Sequence, residues 1–222
     1  MTPKAKKTKR WDRSQVLDIL RQRIVEGEYL PGNKLIENDL ANEFGISRQL
    51  ARDILHDLES RGLVEKERNK GATVRRIDLK TLFEIMELRE VIEGLAARLA
   101  ARNTTSKDWQ DLVAEFGAPF EELVKKMDFE QFLALVNKFQ KRVVQAAANA
   151  ELSLVSDRMY TKMLIVQRRA VLLPGRLQEA LKEHREVLQA IVDGDEERAE
   201  EMKRKNIRSA LNFMIKYKKW VL

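Results

Sequence analysis

The stretch between residues 35 and 76 constrains the fold of this chain more than any other part of it. It predicts a short amphipathic helix at about 37–44, a turn centred on a glycine, and a second helix at about 48–60. Two strand-like runs at 64–68 and 73–76 follow, and a glycine-containing turn joins them. A helix, a turn, a second helix and a β-ribbon in this order are typical of a winged helix-turn-helix.

The second of these helices is predicted to have a buried face and a reading face. Four apolar residues are expected on the buried face: Leu50, Ile54, Leu55 and Leu58. Arg48, Arg52 and His56 recur at four-residue spacing on another face, with Gln49 beside them. Such spacing makes side chains project together toward the base edges of a major groove. The alternative is an ordinary surface helix with scattered arginines, but the wing that follows favours DNA binding.

Positive charge is concentrated in the same part of the chain. The 222 residues include 42 Lys/Arg and 35 Asp/Glu, which gives a net charge of +7. Residues 1–77 hold 17 Lys/Arg and 12 Asp/Glu, whereas residues 78–222 hold 25 and 23. The excess therefore lies where DNA phosphates would be. Residues 1–10 are expected to form a basic flexible arm, and both an extra phosphate contact and a solvated tail remain open for it.

The pattern changes after residue 77 to long amphipathic segments without a convincing strand. These segments lie at about 79–102, 106–127, 128–148, 151–172, 176–193 and 195–219. They predict a bundle of about six helices. The expected fold class is therefore mainly α, with an N-terminal winged helix-turn-helix domain at 11–77 and a C-terminal all-α helical bundle at 78–222.

Several classes of protein are disfavoured by the composition. The chain has no cysteine and two histidines, which argues against a zinc site of the usual Cys/His kind. No apolar run is long enough to span a bilayer, and the N-terminus lacks the apolar segment of a secretory signal, so we expect a cytoplasmic protein without membrane contact. No nucleophile–base set or phosphate-binding loop is visible, and we expect no enzyme.

Four polar residues lie on otherwise apolar stripes of different C-terminal segments: Arg89, Gln140, His184 and Asn206. A polar group that faces a bundle interior needs a hydrogen-bond partner, and four such groups could converge on one ligand. The alternatives stay open at this point. Arg89 could simply pair with Glu93 one turn away, and a single histidine on an apolar stripe is more often a core residue.

Motifs along nearly the whole length carry a resemblance to a known family. They read GEYLPGNKL, GISRQLARDILHDLESRGLV and GATV in the first half, and ELREVIEGLAARLAA and KEHREVLQAIVDGDEERAEEMKRKNI in the second. In these motifs the chain resembles GntR-type transcriptional regulators of the FadR-like class, with an all-helical FCD-type ligand domain. Leu50 stands where the family often has proline, and Asp53 stands where it commonly has glutamate.

The resemblance implies a homodimeric regulator, expected to be a repressor, which binds a palindromic operator in double-stranded DNA and is released by a small-molecule effector. It places the DNA contacts at Asn38, Ser47, Arg48, Gln49, Arg52, Lys70 and Gly71. It also places the effector among Arg89, Gln140, His184 and Asn206. The remaining alternatives are a DNA-binding protein that senses no effector and an enzyme built on the helical domain.

The resemblance bears on metal binding as well. Many members of the class bind a divalent metal through one aspartate and three histidines, and the matching positions here are Val136, Gln140, His184 and Asn206. Only His184 keeps the ligand type, because valine has no donor atom and the amides offer neutral oxygens. We therefore expect no metal and no other cofactor, and an acidic effector such as a carboxylate with Arg89 as its partner.

Overall fold

Two compact units make up the chain, and they divide between Arg76 and Ile77. The computed structural model describes residues 11–67 and 71–221. The first unit contains helix α1 (Arg13–Glu26), strand β1 (Lys34–Leu35), helices α2 (Glu37–Phe44) and α3 (Arg48–Ser60), and strands β2 (Val64–Glu67) and β3 (Gly71–Val74). The strands form an antiparallel sheet in the order β1-β3-β2. The predicted winged helix-turn-helix is confirmed.

Local signals in the sequence fix the helix ends of this unit. Asp12 caps α1 in a capping box with Gln15, and Gly27 ends the helix in the left-handed conformation at φ 83°. Gly45 ends α2 in the same way at φ 61°. The Ser47 hydroxyl accepts a hydrogen bond of 3.1 Å from the backbone amide of Leu50 and so caps α3.

Two details of the first unit differ from the sequence prediction. The buried face of α3 contains Ala51 in place of Leu50, which is half-buried. Ala51 stands three and four residues before Ile54 and Leu55, which puts all three on one helical stripe. The second wing strand begins at Gly71 rather than at residue 73, because Gly71 pairs with Glu67 of β2, and Ala72 pairs with Leu35 of the unpredicted strand β1.

The second unit is all-helical, as predicted. It comprises α4 (Leu79–Asn103), a 3-10 turn (Ser106–Trp109), α5 (Gln110–Glu115), α6 (Ala118–Lys126), α7 (Phe129–Ala146), α8 (Ala150–Val171), α9 (Arg176–Val192), α10 (Glu196–Lys216) and the short α11 (Lys218–Val221). None of the described helices combines the length and the apolarity that crossing a membrane requires.

One predicted helix of this unit is wrong. The segment at 106–127 was expected to be continuous, but Gly117 leaves the helical region at ψ −135° and Pro119 stands in the first turn of α6. Proline has no amide hydrogen to donate, so it suits a helix start better than a helix interior. The broken segment lets Trp109, Phe116 and Phe120 become fully or almost fully buried in the main apolar core of the unit.

Candidate functional sites

The exposed face of α3 carries the basic and polar residues that the sequence singled out. Arg48, Gln49, Arg52 and His56 are all exposed there, while the opposite stripe is fully buried. Burial of that stripe fixes the rotation of the helix, so the exposed residues point away from the unit together. Asn38 is also exposed, near the start of α2. The arrangement suits a helix that enters a groove with its N-terminal turns.

Ion pairs hold some of these side chains in defined positions. The Arg52 guanidinium donates through Nε and Nη2 to the two carboxylate oxygens of Glu37 on α2, with both bonds at 3.0 Å. The hydrogen bond from Arg52 lowers the pKa of Glu37. Gln49 Nε2 donates to Asp53 Oδ1 at 2.9 Å. By contrast, no hydrogen bond or ion pair joins Arg48 to another described residue, so its guanidinium is free for an external anion.

The backbone conformation of the wing requires a glycine at residue 71. Gly71 has φ +84°, and a Cβ atom added there would lie 2.7 Å from the carbonyl oxygen of Leu35. Its role in the structure is therefore to let β3 pass close to β1. Lys70, the other predicted wing contact, lies outside the described residues. Ser47 uses its hydroxyl for the α3 cap, which leaves its remaining lone pair and its hydrogen for other partners.

A cavity of about 70 Å³ lies in the second unit and is lined by residues of α4, α7, α8, α9 and α10. The structure brings together all four polar residues that the sequence singled out, because Arg89, Gln140, His184 and Asn206 all line it. Two further cations, Arg176 and Lys203, line it as well. The sequence reasoning missed both of these, although Lys203 stands on the same stripe as Ala199 and Ile207, four residues to either side.

Two buried carboxylates hold the cations of the cavity. Arg89 Nε donates to Glu93 Oε1 at 2.5 Å, and Lys203 Nζ lies 3.0 Å from Glu93 Oε2. Arg176 Nη1 donates to Glu183 Oε2 at 2.9 Å, and Asn206 Nδ2 donates to the same oxygen at 2.8 Å. The pairing of Arg89 with Glu93 that the sequence left open is therefore present, and Arg89 faces the cavity as well.

The charges of this cluster do not cancel. Three cations, Arg89, Arg176 and Lys203, face two carboxylates. Burial opposes the ionisation of Glu93, but Arg89 and Lys203 outweigh it and lower the pKa of Glu93 to about 2. Burial, with Lys203 next in effect, lowers the pKa of His184 well below its ordinary value. The imidazole is therefore neutral. Burial also lowers the pKa of Lys203, while Glu93 opposes this shift, and with the Lys203 ammonium protonated the cluster has one positive charge in excess.

Several polar atoms around the cavity have no hydrogen-bond partner among the described residues. They are His184 Nδ1, Gln140 Oε1 and Asn137 Oδ1. Buried polar atoms are rarely left unpaired in native proteins, because each costs free energy unless a ligand or water satisfies it. The cavity thus combines an excess positive charge with unpaired amide oxygens, which suits a small ligand that carries both a negative group and hydrogen-bond donors such as hydroxyls.

The residues at the cavity do not fit a divalent metal. Val136 has no atom that could coordinate a metal. The side-chain amide of Asn206 is already engaged, because its Nδ2 donates to Glu183 and its Oδ1 lies 3.5 Å from Lys203 Nζ. A metal ion would also stand beside the Lys203 ammonium. Within residues 11–67 and 71–221, no three His, Asp or Glu side chains come together in an arrangement that could hold a metal. His184 alone keeps a metal-ligand side chain at the four matching positions.

Comparison with known proteins identifies both units. The family described as "Bacterial regulatory proteins, gntR family" matches residues 12–74, and the family described as "FCD domain" matches residues 84–209. The solved structure of Escherichia coli McbR/YncC superimposes with a TM-score of 0.77 at 22% identity, over 94% of this chain and 98% of that one. At that identity the likeness shows a common fold.

Two curated relatives match over most of their length. The chain is 31% identical over 188 residues to the "Probable D-xylose utilization operon transcriptional repressor" of Paenarthrobacter nicotinovorans, covering 84% of this chain and 81% of the relative. It is 25% identical over 209 residues to the galactonate operon transcriptional repressor of Escherichia coli, covering 84% and 90%. The chain therefore belongs to the GntR family of bacterial regulatory proteins, as a DNA-binding transcriptional regulator whose second unit is a metabolite-binding FCD domain.

Proposed function

We propose that this regulator represses an operon by binding a palindromic operator as a homodimer in the cytoplasm, and that a small carboxylate in the FCD cavity releases it. The observation that supports the effector class is the cluster around the cavity, in which the buried Arg176 and Lys203 and the partly buried Arg89 face two carboxylates. An anionic head would neutralise the excess charge, and its oxygens can accept hydrogen bonds from cationic and neutral donors. The regulator acts by binding alone, without a catalytic step.

The DNA contacts proposed are those of the exposed face of α3 and its neighbours. Arg48 and Arg52 would contact guanine edges or phosphates, with Gln49 beside them. Asn38, Ser47 and the wing residues Lys70 and Gly71 would contact the DNA backbone. One winged helix offers a small footprint, so two copies related by a two-fold axis would read the two halves of a short palindrome.

The size of the cavity bears on how the effector acts. A cavity of about 70 Å³ exceeds the roughly 10–15 Å³ that one water needs, so it has room for a few waters or for a carboxylate group. An acid that is larger than this space would widen the gap between the five helices. The relative named for the galactonate operon favours a sugar acid as a candidate, whereas the relative named for the D-xylose operon points to a neutral sugar. The effector would then stabilise a wider packing of the bundle, a shift between two populations.

Operator binding with and without carboxylates tests this proposal. The operator is first mapped by footprinting on genomic fragments, and its affinity is then measured by fluorescence anisotropy at fixed salt. We expect at least one of acetate, glycolate and galactonate to weaken operator binding, whereas D-xylose and D-galactose leave it unchanged. Operator affinity that responds to a neutral sugar and to no carboxylate would contradict the effector class.

A further inference from the structure

We infer that the ammonium group of Lys203 is a resident cation of the FCD cavity that binds the effector carboxylate directly, so that no metal ion is needed for its recognition. The inference rests on the proposed function, because it names the group that recognises the proposed carboxylate. Lys203 is not one of the four polar residues that were identified from the sequence, so the inference adds a fifth residue to the proposed effector site.

The position of Lys203 supports this role. Its side chain is only 4% exposed, it lines the cavity from α10, and its Nζ lies 3.0 Å from Glu93 Oε2 and 3.5 Å from Asn206 Oδ1. Asn206 occupies one of the positions that match a metal ligand of the family. The ammonium therefore supplies positive charge beside a position that matches a metal ligand of the family, without an external ion.

The ammonium keeps a donor for a ligand. Arg89 donates to Glu93 and lies 3.5 Å from Met86 Sδ, and Arg176 donates to Glu183 and lies over the Phe213 ring with 5.4 Å between the guanidinium carbon and the ring centre. Lys203 shares its only carboxylate, Glu93, with Arg89. An ammonium has three donors, and Glu93 and Asn206 take two of them at most. The remaining donor is available to a ligand in the cavity.

The excess of positive charge in the cluster favours binding of an anion by the Lys203 ammonium. A buried positive charge without a full counter-charge is costly, so a ligand carboxylate that approaches Lys203 removes a penalty as well as adding a charge-assisted hydrogen bond. A divalent metal in the same cavity would instead increase the excess of positive charge. The neutral His184, with its unpaired Nδ1, can complete the site as a hydrogen-bond partner.

The test compares Lys203→Met with wild type, because methionine removes the charge while filling a similar apolar volume and leaves Glu93 paired with Arg89. The matched control is Lys205→Met on the same helix, since Lys205 is 61% exposed and lies 3.8 Å from Glu186. Both variants and wild type, all full-length and treated with EDTA, are titrated with acetate, glycolate and galactonate by calorimetry and by thermal shift. Sodium chloride of equal ionic strength serves as the reference.

We expect the wild type and Lys205→Met to bind the same carboxylate, and Lys203→Met to bind it about 10- to 150-fold more weakly, the range for loss of one hydrogen bond to a charged group. Equal binding by Lys203→Met would overturn the inference and leave the proposed effector class standing. Binding of none of the three acids by the wild type would overturn both. Binding by the wild type only after Zn²⁺ is restored would overturn the role of Lys203 as the resident cation.

A second variant keeps the test decisive if Lys203→Met does not fold. In the double variant Glu93→Gln/Lys203→Met the ion pair is removed as a whole, and Arg89 and Arg176 face Glu183 alone. The cluster then keeps its excess positive charge but lacks the ammonium. Weak carboxylate binding by this variant supports Lys203 as the recognising group, whereas wild-type binding would show that the excess charge alone suffices and would overturn the inference.

Discussion

Replacing Glu93 by glutamine is expected to destabilise the FCD domain strongly, because it leaves two buried cations without their counter-ion. Glu93 is 5% exposed, and it is the carboxylate shared by Arg89 and Lys203. Glutamine has nearly the same shape, so the substitution tests charge rather than packing. Removing one partner of a buried ion pair costs about 3–5 kcal/mol, since the other partner stays buried and unpaired.

The pKa of Glu93 gives an independent estimate of the same quantity. It falls from the ordinary 4.5 to about 2 in the folded protein, a difference that corresponds to about 3 kcal/mol of favoured ionisation. A carboxyl group whose pKa is lowered on folding stabilises the protein fully above its unfolded pKa. This stabilisation is lost as the pH falls from about 4.5 toward 2. The two estimates agree in size, so we expect a loss of about 3 kcal/mol at pH 7.

Urea unfolding, followed by far-ultraviolet circular dichroism at pH 7, measures the loss. Glu90→Gln on the same helix is the matched control, since Glu90 pairs with the exposed Arg208 and its loss should cost less than about 1 kcal/mol. In the Glu93→Gln background, Lys203→Met should recover part of the lost stability, because it removes one of the stranded cations. A cost below about 1 kcal/mol for Glu93→Gln, or no recovery in the double variant, would refute the account of the buried cluster.

Four further predictions concern DNA binding, the wing, the effector and the assembly. Arg48→Ala and Arg52→Ala should each weaken operator binding about 5- to 150-fold in fluorescence anisotropy, and unchanged affinity in both would contradict the assignment of α3. Gly71→Ala should lower the thermal stability of the winged domain more than Gly45→Ala. Both glycines have positive φ, but only at residue 71 would the added Cβ clash with a backbone carbonyl oxygen, that of Leu35. Arg89→Ala should abolish the effect of the carboxylate on DNA binding while leaving unliganded operator affinity near wild type. Light scattering should give a mass of about twice 25.8 kDa, and a monomer at micromolar concentration, alone and on DNA, would rule out the two-fold arrangement.

The sequence was sufficient for the parts of the fold that local signals specify. Most ends of the first three helices follow from caps and glycines that act within four residues, such as Ser47 and Gly45, whereas α2 begins after Ile36 without a side-chain cap. Strand β1 could not be predicted because two residues show no periodicity, and its existence depends on pairing with β3 far along the chain. The choice of Ala51 over Leu50 for the buried stripe likewise depends on the neighbouring helices.

The cavity was predictable only in part, for a related reason. A polar residue on an apolar stripe is visible in sequence, and this signal found Arg89, Gln140, His184 and Asn206. Lysine and arginine are normally solvent-exposed, and nothing local distinguishes the buried Lys203 from its exposed neighbour Lys205. Burying such a residue costs little free energy only where a carboxylate from another helix lies beside it. Which carboxylate lies there depends on the tertiary structure and not on the local sequence.

The energetics of the cavity favour a charged effector over a neutral one. To move a regulator from 1:99 to 99:1 between two packings of its helices, a ligand must favour one packing by about 5.5 kcal/mol. Hydrogen bonds to charged groups contribute about 1.5–3 kcal/mol each, whereas neutral ones contribute about 0.5–1.5. A carboxylate that meets Lys203 and one guanidinium could therefore approach the required difference with two or three contacts. A neutral sugar could also accept hydrogen bonds from these cations, but it would leave the excess positive charge of the cluster without a counter-charge.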